Sequence, residues 1–218
     1  VMMARTRQQQ RVAAERGRER EQLAAQLGKT VTELKLFLRV AYSLPPHDLR
    51  REQKSIKTRL EQLEHELPSA EPSIKGALEG AIGQGYLVLG DNASAVRHLE
   101  LALQNGYEKR GVHLALGQAL GRIFEQKRDA VWRSTPTSQI KPQIAALRQE
   151  YVVRARQELI KGSDGELGSA EYVNALLHFY ESDSQEELDK ALVGARKVQE
   201  ETPWLLEPFE DRKSTRLN

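Results

Sequence analysis

The chain has 218 residues, 39% of them apolar and 29% charged, with no cysteine. That balance suits one large or two small helix-rich folded domains and excludes a disordered tail, a disulfide frame and a thiolate metal site. The formal charge of +2 is unevenly spread: residues 1–22 hold six arginines against three glutamates, residues 211–218 carry +2, and the rest is net acidic, so a nucleic-acid reading finds little support.

Residues 4–43 read as one long helical pattern, or two helices meeting near Gly28. Residues 1–22 are polar on almost every side and are expected to form a basic arm or linker. The second half gains a stripe at Leu23, Leu27, Val31, Leu34, Leu38 and Ala41, whose steps of three and four place it on one helical face. Pro45 and Pro46 stop this helix, since neither has a backbone donor and each restricts its predecessor. Asp48 is the expected N-cap of a helix from about Leu49 to Leu67, with Ile56, Leu60, Leu63 and Leu67 on one face. Residues 23–68 are thus expected to be a helical hairpin.

The chain then repeats itself. The stretch "AIGQGYLVLG" at 81–90 aligns with "ALGQALGRIF" at 115–124, an offset of 34 residues. Small residues at 81, 83, 85, 115, 117 and 119 let helices approach closely, and large ones at 82, 86, 89, 116, 120 and 123 fill the space between them. This resembles the tetratricopeptide repeat, a helix–turn–helix unit of the same period that stacks into a solenoid. The first unit is expected at about 74–107, with helix A over 74–88, a turn at Gly90 and helix B over 92–105. In the second, about 108–161, helix A is expected over 110–126 and helix B is displaced to 141–161, with 127–140 an extension of helix A and a loop around Pro136. The third is expected at about 169–203, its helix A burying Tyr172, Leu176, Phe179 and Tyr180. The fold expected is all-α: a tetratricopeptide-like helical-repeat solenoid over 69–210, preceded by a long N-terminal helix and a helical hairpin.

Motifs for chemistry are weak. The glycines at 80, 83, 85 and 90 and at 106, 111, 117 and 121 have neither the spacing of a phosphate loop nor a strand before them, so helix packing accounts for them. The five histidines, His47, His65, His98, His113 and His178, form no His-Glu-x-x-His pair and are expected at the surface or the edge of the core. The segment "GSDGELGS" at 162–169 lacks the alternating ligands of a calcium loop and reads as a turn. No catalytic, metal or cofactor-binding residue is assigned.

The tetratricopeptide resemblance implies a partner site on the concave face, lined by the A helices. Carried over position by position, it comprises Gln84 and Leu87, then Gln118 and Arg122, then Glu171, Asn174 and His178. Amides with one arginine and one histidine suit a peptide backbone or its carboxylate.

The order of features carries a further resemblance. Leu44, Pro45, His47, Asp48 and Arg50, the stretch from Gly83 to Phe124, and "AEYVNALLHFYE" at 170–181 are similar to the region C-terminal to the catalytic domain in bacterial eukaryotic-like serine/threonine protein kinases. The likeness covers roughly residues 20–205. It implies an accessory module for recruitment or regulation, cytoplasmic or on the outer side of a membrane-anchored parent, with ATP and magnesium belonging only to a parent kinase domain. The kinase motifs themselves, a Gly-rich loop with Val-Ala-x-Lys, His-Arg-Asp and Asp-Phe-Gly, are absent from the 218 residues. A stand-alone scaffold, or the sensor half of a repeat-containing transcription regulator or ATPase, would show the same pattern. The last eight residues, "DRKSTRLN", follow in order one reading frame of a widely used short-read sequencing adapter and are expected to be a non-native tail on a fragment.

Overall fold

The computed structural model describes residues 50–70, 72–163 and 170–182, together with positions 189, 191, 193 and 194. Every secondary-structure element among them is helical, so the described chain is all-α. The N-terminal arm and long helix, the capping role of Asp48, most of the third unit's helix B, most of the 162–169 turn and the last eight residues lie outside the described residues.

Helix α1 spans Arg50–Glu66 and is followed by a short 3-10 turn at Leu67–Ser69. Its face at Ile56, Leu60 and Leu63 is buried; Leu63 packs with Ile74, Leu78 and Ile82 of α2, Pro72–Leu89, and Leu60 lies against Gly85 of the same helix. Proline at the first position of α2 is favoured there, because that backbone nitrogen would have no helical acceptor.

Helix α2 ends at Gly90, whose φ of +78° is open to glycine at little cost. The Gly90 N–H donates to the Leu87 carbonyl and the Asp91 N–H to the Tyr86 carbonyl, closing the helix end. The Asp91 carboxylate then accepts from the Ser94 N–H at 3.0 Å and caps α3, Asn92–Gln104. The same closure recurs at Gly106, φ +77°, with Gly106 N–H to Leu103 and Tyr107 N–H to Ala102.

Helix α4, Arg110–Ser134, is 25 residues long, about 37 Å at 1.5 Å per residue. It packs on α2 and α3 and on the helices that follow it. After Thr135 and Pro136 the chain turns into α5, Thr137–Leu147, passes through a π-helical stretch at Arg148–Val152 and continues as α6, Val153–Gly162. The helical return therefore begins at Thr137 rather than at the expected position 141, and it is not uniformly α-helical. Pro142 stands inside α5 at its sixth residue, where it forfeits one backbone bond without ending the helix. Helix α7, Ala170–Glu181, buries Tyr172, Val173, Ala175, Leu176, Leu177, Phe179 and Tyr180.

Two helix pairs are built alike at their joints. At α2–α3, a side chain at Gly83 would meet Leu99 Cγ at 2.6 Å. At α4–α6, one at Gly117 would meet Leu159 Cγ at 2.6 Å. Ala95 and Ala155 lie one turn before those leucines, and Ala102 and Gly162 just under one turn after them; all four are buried. The leading helices thus correspond as Gly83 to Gly117, the step of the sequence repeat. The returning helices correspond as Leu99 to Leu159, a longer step. The extra length is taken up by the end of α4, the Pro136 turn, α5 and the π-helical stretch.

Candidate functional site

The seven residues expected on a partner face divide by what surrounds them. Leu87 is buried at 7% exposure in the core shared by α2, α3 and α4, so its side chain offers no surface. Gln84 is half-buried one turn earlier on α2. Gln118 donates from Nε2 to the Tyr172 hydroxyl at 2.7 Å, tying α4 to α7. Arg122 donates from Nη1 to the Leu87 carbonyl at 3.0 Å, tying α4 to the closing turn of α2. A cation is favoured there, because the last carbonyls of a helix carry partial negative charge. Glu171, Asn174 and His178 are exposed on α7, at helical spacing on one face.

α4 thus touches both α2, through Arg122, and α7, through Gln118, and Glu171, Asn174 and His178 of α7 are exposed. Tyr172 was expected in the core, and it lies there; that its hydroxyl would receive Gln118 is set by how closely α7 approaches α4. A glycine at 121 permits that approach, since an added side chain would collide with the Tyr180 ring.

Of the histidines expected at the surface or the edge of the core, His98 is buried and His113 half-buried, and both join helices. His98 is buried at 6% exposure, its ring stacked on Tyr86 with centroids 5.5 Å apart and planes at 15°. Its Nδ1 lies 2.6 Å from Glu79 Oε2, and Glu79 is itself buried. Tyr86 donates its hydroxyl to Glu64 Oε1 at 2.8 Å. Burial first, then that carboxylate, pushes the Tyr86 phenol up to about 12.

His113 repeats the arrangement in the second pair, with Nδ1 2.6 Å from Glu158 Oε2. Lys161 donates to the other oxygen of Glu158 at 2.8 Å. Burial pushes the Glu158 carboxyl up, but the hydrogen bonds from Lys161 and His113 outweigh it and hold the group below the usual carboxylate range.

The two pairs occupy matching positions in opposite order. Glu79 and His113 are related on the leading helices by the same step as Gly83 and Gly117. His98 and Glu158 are related on the returning helices by the same step as Leu99 and Leu159. The available sequence signal was His98 itself, shortly after Ala95 and adjacent to Leu99 on an otherwise apolar face.

Glu79 and Glu64 approach opposite edges of the His98 ring and do not converge on a point. Among the described residues no group of three or more histidines or carboxylates is placed to hold a metal ion. No described helix is long and apolar enough to cross a membrane. Compared with known proteins, the chain matches no family model, no curated protein and no solved structure.

Proposed function

We propose that this chain is a non-catalytic protein–protein interaction or regulatory module built from tetratricopeptide-like repeats. The observation that carries the reading is the shared joint of α2–α3 and α4–α6, in which Gly83 and Gly117 receive Leu99 and Leu159. Helix pairs that repeat their packing bury a continuous core by stacking, and the aligned leading helices then present one elongated face. Here that face belongs to α2, α4 and α7. Its accessible polar groups are Gln84 and, more fully, Glu171, Asn174 and His178. These groups suit the amides of an extended peptide, which recognises such faces through backbone and alternate side chains.

The parent is read as a bacterial serine/threonine protein kinase. The support is the residue-level likeness at Leu44 to Arg50, Gly83 to Phe124 and Ala170 to Glu181. Two measurements test the reading separately. A random peptide library displayed against the chain should yield binders whose affinity falls about ten-fold in Asn174→Ala/His178→Ala, as loss of two interface hydrogen bonds requires. Binders indifferent to that change would overturn the face. Sequence upstream of the same reading frame should encode the Gly-rich loop, His-Arg-Asp and Asp-Phe-Gly motifs. A DNA-binding or nucleotide-binding domain there, or no further domain, would overturn the parentage and leave the interaction module standing.

A further inference from the structure

His98 stands where three helices meet, and its two ring nitrogens face different choices. A neutral imidazole has one N–H and one lone pair. Nδ1 lies 2.6 Å from Glu79 Oε2 on α2; that carboxylate, when ionised, can only accept, and Nδ1 then carries the proton. Nε2 has two neighbours. Arg97 Nη2, on α3 itself, is 3.1 Å away and can only donate. Glu64 Oε1, on α1, is 3.3 Å away and, when ionised, can only accept. Nε2 cannot serve both at once: as a lone pair it accepts from Arg97, and as an N–H it donates to Glu64.

The groups around the ring are therefore Glu64 from α1, Glu79 and Tyr86 from α2, and Arg97 from α3. Glu64 also accepts the Tyr86 hydroxyl, which orients the oxygen that faces the imidazole. Arg97 is exposed and can leave for solvent at little cost. Glu79 is fixed in the core.

We infer that His98 is a proton-operated clasp that ties α1 to the α2–α3 pair. Protonation turns Nε2 from Arg97, within α3, to Glu64 on α1 and adds a charge-assisted hydrogen bond between the helices. Deprotonation removes that bond and leaves a ring lone pair facing an anionic oxygen. α1 is held more tightly when the ring is protonated and more loosely when it is not, until carboxylates themselves take up protons at lower pH.

The test is hydrogen exchange of peptides within residues 53–66, measured on the full chain for wild type, Glu64→Gln and His98→Gln. Each rate is expressed as a protection factor, which divides out intrinsic exchange. The protection of wild type relative to Glu64→Gln should be about five-fold larger near pH 5.5 than near pH 8, after allowing for the partial exposure of Glu64. In His98→Gln the helix should lose this pH dependence. A ratio that stays flat from about pH 5.5 to about pH 8, or a pH dependence that survives in His98→Gln, would overturn the clasp. Should His98→Gln fail to fold, as circular dichroism would show, the ratio of wild type to Glu64→Gln decides by itself, because Glu64 is partly exposed and glutamine preserves its bond from Tyr86.

Discussion

The joint at Gly117 offers a sharp test of the packing. An added methyl there would lie 2.6 Å from Leu159 Cγ, 2.9 Å from its Cδ2 and 3.0 Å from the Ala155 carbonyl oxygen. Leu159 has no exposed surface to swing into, and a helical carbonyl cannot retreat without moving α6. Overpacking of this kind costs about 1–3 kcal/mol, while replacing glycine by alanine inside a helix returns about 1 kcal/mol. Gly117→Ala should therefore lose up to about 2 kcal/mol, or up to about 8 °C in Tm for a domain of this length. Gly111, near the start of the same helix, has nothing within 4 Å of the corresponding point. Gly111→Ala should gain about 0.5 kcal/mol by propensity alone. Urea unfolding followed by helical circular dichroism measures both. If Gly117→Ala proves as stable as Gly111→Ala, the close α4–α6 contact is wrong.

Other joints make further predictions. Glu158→Gln should cost about 0.5–1 kcal/mol at neutral pH after allowing for solvent screening. Because the folded Glu158 carboxyl is held low, its contribution is present above the ordinary carboxylate pKa of about 4.3 and is lost as pH falls through the folded value. Urea midpoints across an acid series should show the gap to wild type closing. Asp91→Ala should cost about 1 kcal/mol by uncapping α3, read as a lower urea midpoint with unchanged slope. A double-mutant cycle of Gln118→Ala and Tyr172→Phe should return a coupling of about 0.5–1.5 kcal/mol if the α4–α7 hydrogen bond forms as described.

The leading helices were legible because their signal is local. Alternating small and large residues at 81–89, repeated at 115–123, are enough to place α2 and α4, and the glycine-stopped turns at 90 and 106 bound α3. The second return was harder. Leu159 follows its counterpart Leu99 by a longer step than Gly117 follows Gly83, so the repeat period does not find it. A proline inside α5 also reads as a breaker, although the helix carries it. Of the residues expected on a partner face, those exposed are Glu171, Asn174 and His178 of α7. Gln118 and Arg122 are polar in sequence, yet both face a neighbouring helix. Polarity alone does not tell a solvent-facing side chain from one whose partner is a hydroxyl or a carbonyl brought in from 54 or 35 residues away.

The inverted pairs explain a related blind spot. Alignment at the repeat period sets Glu79 against His113, an acid against a base, and scores a mismatch. In three dimensions the mismatch is the matching feature, because each returning helix supplies the complement: His98 to Glu79 and Glu158 to His113. A buried carboxylate is costly alone, and a hydrogen bond to imidazole offsets that cost whichever helix carries which group. What the two joints share is therefore complementarity across the helix pair, not residue identity along the chain. The surroundings then separate them. Glu158 is answered by Lys161 from its own helix, one turn on. His98 is answered by Glu64 from the preceding helix and by Arg97 from its own, two groups of opposite charge competing for one nitrogen. The second joint is closed within one helix pair. The first also reaches a third helix, through Glu64.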